Sequence, residues 1–196
     1  MWDKGGKLTT LPLPDWEQYS VDRGFAVDDE GTVVGNATGY VKNPTTGGNQ
    51  QVNDAFRWDA DNGFQKLAPL TDNRTLTEPL AVNASGVVVG TSGDDAFVLK
   101  PGGTMTRLPD FGFSAKALKV NDAGWIIGTA ETEPDADAAV VWDSDGRMYA
   151  LSAMVDSAHW TPTEGIGINN RGQAAFYATD RTDQGTTKVV VATLPH

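Results

Sequence analysis

The chain has 196 residues, with 15 Lys and Arg against 26 Asp and Glu, a net charge of −11 and no Cys. That balance excludes the basic stripe a phosphate backbone needs and the cationic patch that docks on an anionic membrane. The absence of Cys excludes disulfides, thiolate metal sites and cysteine catalysis, and the longest apolar run, Ala138–Trp142, is far short of the roughly 20 residues of a spanning helix.

In chain order, Met1–Lys7 reads as a turn and lacks the basic region and apolar core of an export signal. Trp2 and Leu8 fit the frame of a strand end that recurs later, so the chain opens partway through a hairpin. Asp15-Trp16-Glu17-Gln18-Tyr19 reads as a long connection carrying aromatics. Val27–Gly35 then gives the pattern apolar–Asn/Asp–x–x–Gly–x–apolar–apolar–Gly. Its Asp or Asn accepts a backbone N–H two residues on, its first Gly takes the φ > 0 position of a hairpin turn, and β-branched residues follow as a strand prefers. Tyr40–Val52 reads as a mobile polar insertion with no strand character.

A second hairpin follows: Ala55–Trp58 leads through Asp59-Ala60-Asp61-Asn62-Gly63 into Phe64–Leu67. The first pattern returns at Val82–Gly90, and the second at Ala96–Leu99 with Met105–Leu108. A connection through Asp110-Phe111-Gly112-Phe113 precedes the third copy, Val120–Gly128, and the acidic loop Glu131–Asp137. Ala139–Trp142 then turns through Asp143-Ser144-Asp145-Gly146 into Met148–Leu151. After His159-Trp160-Thr161-Pro162 comes a weaker fourth copy, Ile168–Phe176, which loses the final Gly, and Lys188–Val191 supplies one more strand.

Two hairpins in about 40–50 residues make the strand count and length of a propeller blade. The expected fold is all-β: one repeat domain over residues 1–196, a β-propeller-like array of about four blade-like four-stranded repeats. Approximate units are 1–53, 54–94, 95–137 and 138–187, with 188–196 a closing or orphan strand. Phe56, Trp58, Phe97, Trp142 and the Val-Val pairs are assigned to the inter-blade core. Two readings of the ends stay open: the last strand closes a four-bladed ring on the first blade, or the chain is a partial ring, the C-terminal part of a longer array.

At these residues the chain resembles the HAF-repeat family, probable extracellular bacterial repeat proteins named for a His-Ala-Phe at a strand start. Asp54-Ala55-Phe56 and Asp95-Ala96-Phe97 match that start with Asp in place of His, and the Asn-x-x-Gly-x-Val-Val-Gly turns and Leu-x-x-Leu pieces (Leu8/Leu11, Leu67/Leu70) match as well. Membership implies a secreted, propeller-like protein of undefined activity.

Candidate chemistry is sparse. Asp59, Asp61, Asp143 and Asp145 sit in oxygen-rich turns of the kind Ca²⁺ takes, although Asp and Asn beside Gly are also ordinary turn residues. The acidic Glu131–Asp137 loop is a solvated loop or a cation site. Trp16, Tyr19, Phe113, His159 and Trp160 place aromatic side chains among polar ones on the connections, where a glycan or protein would bind, unless they fold back over blade edges. No nucleophile elbow, His-Glu-x-x-His or phosphate loop is present. The expected function is a non-catalytic extracellular binding or scaffold protein. The alternatives are a polysaccharide-acting propeller enzyme using Asp22, Glu78, Asp122 and Glu164, and a truncated remnant without activity; open ends would allow self-association.

Overall fold

The computed structural model of the protein describes residue 11 and residues 18–71 and 76–195. Over these residues the chain is all-β, with fifteen antiparallel strands, no α-helix and one 3-10 turn at Leu151–Ala153. The first sheet holds β1 (Gln18–Val27), β2 (Val33–Lys42), β3 (Asn49–Asp59) and β4 (Gly63–Lys66). The second holds β5 (Thr77–Val82), β6 (Val88–Ser92), β7 (Asp95–Leu99) and β8 (Met105–Arg107). The third holds β9 (Ala115–Val120), β10 (Ile126–Glu133), β11 (Ala136–Trp142) and β12 (Met148–Ala150). The fourth holds β13 (Trp160–Ile168), β14 (Gln173–Asp180) and β15 (Thr186–Thr193). Strands pair in chain order within every sheet, so the molecule is a row of blade-like meanders, four-stranded three times and three-stranded once among the described residues.

Each sheet pairs an Asn-x-x-Gly hairpin with the hairpin that follows it, so the sheets lie half a unit away from the frame 1–53, 54–94, 95–137 and 138–187. The long connections therefore join one sheet to the next. The insertion expected to lack strand character is instead mostly strand. Lys42 and Asn49 are the last pair of a continuous β2–β3 ladder, and the turn itself is confined to residues 43–48. Asn43 closes it by accepting the N–H groups of Thr45 and Thr46 on its side-chain oxygen, a turn chemistry that the run of polar residues hid.

The repeated turn forms, with its side-chain acceptor reaching four residues on in all four copies and also two residues on at Asn83 and Asn169. The side-chain oxygens of Asp28, Asn83, Asn121 and Asn169 accept the N–H groups of Thr32, Val87, Trp125 and Gln173 at 2.8–3.1 Å. Gly31, Gly86, Gly124 and Gly172 adopt φ between 72 and 86°, which a side chain would strain. The closing Gly has a different cause. Every first strand carries a β-bulge opposite that position, and the bulge turns a carbonyl inward. A Cβ on Gly90 would lie 2.0 Å from the Glu78 oxygen, and one on Gly128 1.8 Å from that of Lys116. In the fourth sheet Phe176 takes this place, and its partner across the ladder is Gly165, with Gly167 just past the bulge. The missing glycine has moved to the other strand.

The paired apolar residues of the motif exist because the sheets are covered on both faces. Val34, Ala55 and Leu67 of the first sheet meet Val88 and Phe97 of the second. Ala81, Val89 and Leu108 of the second meet Ile126, Val140 and Trp142 of the third. Ile127, Val141 and Leu151 of the third meet Ala174, Phe176 and Leu194 of the fourth. Thus Val88 faces back and Val89 forward, as successive strand residues must.

A polar ladder runs along the turns beside this core. Asn83 Nδ2 donates to the Asn121 carbonyl at 2.8 Å, and Asn121 Nδ2 donates to the Asn169 carbonyl at 3.0 Å. Alongside it, Ala84 N donates to Asp122 Oδ1 and Asp122 N to Asn170 Oδ1. The first sheet has Asp28 at the ladder position, and a carboxylate has no N–H to give. It is tied to the second by Asn36, whose Nδ2 donates to the Thr77 carbonyl.

Candidate functional site

The meander puts the Asn-x-x-Gly turns and the turns after β3, β7 and β11 at one end of the strands, and the remaining turns with the inter-sheet connections at the other. The sequence candidates divide between these two faces.

On the turn face, three of the four aspartates offered for calcium, Asp59, Asp143 and Asp145, use their carboxylates in their own turns, and Asp61 contributes its backbone N–H. Asp59 Oδ1 accepts from Asp61 N, Asn62 N and Asn62 Nδ2, and these bonds, led by that from the Asn62 N–H, hold its carboxyl below the usual range. Asp143 Oδ1 accepts from Asp145 N and Arg147 N, its Oδ2 accepts from the Tyr149 hydroxyl, and Asp145 Oδ2 pairs with the Arg147 guanidinium. Among the described residues no group of three or more His, Asp or Glu is placed to hold a metal ion. Asp122, offered as a catalytic carboxylate, is the inter-sheet acceptor of Ala84 N and Asn170 Nδ2.

The turn face holds a cavity of about 610 Å³ between the second and third sheets, with Asn83, Asp122, Asp143 and Asp145 in its wall, and the connection face carries a second, more acidic arrangement. A cavity of about 570 Å³ lies along the third sheet, with Lys116, Thr129, Glu131 and Asp137 on its strands and Glu164 across from them on β13 of the fourth. A second cavity of about 510 Å³ adjoins it, sharing Ser114 and Glu131 and adding Asp94, Gly112 and Phe113. The connection that presents Phe113 is held by Asp110, which accepts Gly112 N at 2.6 Å and the Arg107 guanidinium at 2.6 Å. Phe111 and Phe113 are left 40% and 42% exposed, enough to offer ring faces.

Glu131 organises the shared wall. Its Oε1 accepts Asp135 N at 2.9 Å and its Oε2 accepts the Ser114 hydroxyl at 3.0 Å. The Asp135 N–H first and the Ser114 hydroxyl second keep this carboxyl ionised below its ordinary range. Thr129 lines the larger cavity with a buried hydroxyl that has no hydrogen-bond partner. The acidic loop is thus one side of a polar cleft with a single lysine in its wall.

Of the five rim residues, the three whose side chains are described, Phe113, His159 and Trp160, do not converge on one site. Phe113 lines the smaller cavity, and neither His159 nor Trp160 lines it or its neighbour. Trp160 packs against the core between the third and fourth sheets, while His159 Nδ1 pairs with Asp156 Oδ2 in an exposed turn. Trp16 lies outside the described residues, as do the side chains of Tyr19 and Asp22. Glu164 is in the cleft wall; Glu78, on β5, is not.

Sequence reasoning missed Asp94, Lys116 and Thr129. No motif contains them; the alternation of β10 from Ile127 through Thr129 to Glu131 and the register Lys116↔Thr129 put Lys116 and Thr129 on one wall, while Asp94 reaches the smaller cavity from the β6–β7 turn. No family model, curated protein or solved structure matches the chain.

Proposed function

We propose that the protein is a non-catalytic binding and scaffold repeat protein acting outside the cell, as its resemblance to HAF-repeat proteins implies, with the connection-face cleft as its ligand site. A neutral or amino-bearing glycan is the ligand class that the cleft suits. The carrying observation is the two adjoining cavities whose shared wall is Ser114 and Glu131, with exposed Phe113 at one end and Glu164 at the other. Carboxylates accept hydrogen bonds from hydroxyl or ammonium groups, and an exposed ring face packs on the apolar face of a sugar. The wall's acids outnumber Lys116, which disfavours uronic or sulfated sugars. The repeated residues, by contrast, are all occupied in turns, bulges and packing.

Calorimetric titration of a panel of neutral, amino-bearing and uronic oligosaccharides tests the proposal. Saturable binding of a neutral or amino sugar is expected, weakened about tenfold by Phe113→Ala, the loss of one stacked ring. Preference for uronic sugars, or no saturable binding across the panel, would defeat it.

A further inference from the structure

The junctions between neighbouring sheets are built on one plan, and the middle one lacks a large side chain that the other two possess. Two positions recur in each sheet near the turn face. One is the residue after the first glycine of the repeated turn, whose N–H the turn's Asp or Asn accepts: Thr32, Val87 and Trp125. The other is the third-strand residue across the ladder from Val34, Val89 or Ile127: Arg57, Val98 and Val141.

Between the first and second sheets the second of these positions is large. Arg57 reaches across to Gly86 of the second sheet, where a Cβ would lie 3.2 Å from its Nη2. Between the third and fourth sheets the first position is large. Trp125 packs on the cluster that holds Val141 and Phe176, with its ring 6.2 Å from that of Tyr149. Between the second and third sheets both positions are valine, and the turn-face cavity of about 610 Å³ lies there, with Val87, Val98, Leu108 and Ile126 among its walls. That volume is within the roughly 300–1,000 Å³ of small-molecule sites. The cavity shares no lining residue with the two that make up the acidic cleft on the connection face.

The charged groups in its wall are already partnered. Asp122 accepts Ala84 N and Asn170 Nδ2, and Asp143 serves its own turn and the Tyr149 hydroxyl. Asp145 pairs with Arg147, and Arg107 with Asp95 and Asp110. Lys100 Nζ spans the two turns at the rim, donating to the Ser144 carbonyl at 3.1 Å. An ionic ligand therefore finds little uncompensated charge, whereas a ring laid on the valines, Leu108 and Ile126 removes apolar surface from water.

We propose that this cavity binds a small planar aromatic molecule of one or two fused rings, seated as the side chains of Arg57 and Trp125 are seated in the flanking junctions. This site is independent of the glycan cleft, and either can fail without the other.

Indole is the probe, with methylguanidinium as the cationic comparison, and binding is followed by heteronuclear NMR. Saturable shifts centred on residues 85–87, 104–108 and 123–126 are expected with indole and not with methylguanidinium. Two variants close the cavity by copying its neighbours: Val98→Arg after the first junction and Val87→Trp after the third. Each places a side chain where space exists, so the melting temperature should hold or rise, and indole binding should weaken about tenfold or more. If one substitution unfolds the protein, the other carries the test. No saturable indole binding, a preference for methylguanidinium, shifts centred on residues 111–116, a lower melting temperature in both variants, or unchanged indole affinity in a folded one would each overturn the proposal.

Discussion

Asn121 does three jobs with one side chain and its own carbonyl. Its Oδ1 accepts Trp125 N and shapes the turn, its Nδ2 reaches the Asn169 carbonyl, and its own carbonyl receives Asn83 Nδ2. Asp28 shows that a carboxylate sustains the turn equally well, with Thr32 N donating at 2.8 Å. Asn121→Asp should therefore keep the hairpin and lose only the inter-sheet bond, leaving two acceptors facing each other. The expected cost is about 1–3 kcal/mol, read as a lower denaturant midpoint with an unchanged m-value. The turn role of this residue was legible from its spacing to Gly124. The ladder was not, because it joins residues 38 and 48 positions apart whose alignment exists only once the sheets have stacked.

At the scale of single elements, the β14–β15 hairpin rests on one carboxylate. Asp180 Oδ2 accepts Lys188 Nζ at 2.7 Å, and its Oδ1 accepts the N–H and hydroxyl of Thr182 at 2.9 and 2.6 Å. Lys188 first and Thr182 next hold this carboxyl far below the normal range. A depressed folded value means the stabilisation is complete above the unfolded carboxylate pKa of about 4 and drains away as pH falls below it. The melting temperature should fall on acidification from pH 4, and Asp180→Asn should flatten part of that fall; an identical slope in the variant would remove Asp180 from the cause. Turn chemistry made most hairpins readable in advance, from Asn or Asp at the start and Gly at the end. It failed at residues 40–52, where Thr, Gly and Asn read as loop although the register from Val33↔Trp58 continues unbroken to Lys42↔Asn49. The sheets are offset by about half a unit from the repeats, since spacing shows which segments repeat but not which of them hydrogen-bond.

Across the whole molecule, the division of labour follows from topology. Every motif residue that repeats lies in a turn, a bulge or the double-faced core, while the cleft is built from residues that do not repeat: Phe113, Lys116, Glu131 and Glu164. Exposed Phe113 and the acidic loop could be picked out from sequence, but their neighbours Asp94, Lys116 and Thr129 come from two strands and a turn whose meeting is a consequence of pairing and stacking. The measurement that bears most directly on this division is a heteronuclear NMR titration of the chain with the neutral and amino-bearing oligosaccharide panel. Shifts confined to residues 111–116, 129–137 and 164 would place binding in the cleft on the connection face. Shifts centred instead on the Asn-x-x-Gly turns, or cleavage of the added sugar during the titration, would contradict a non-catalytic scaffold that binds through that cleft.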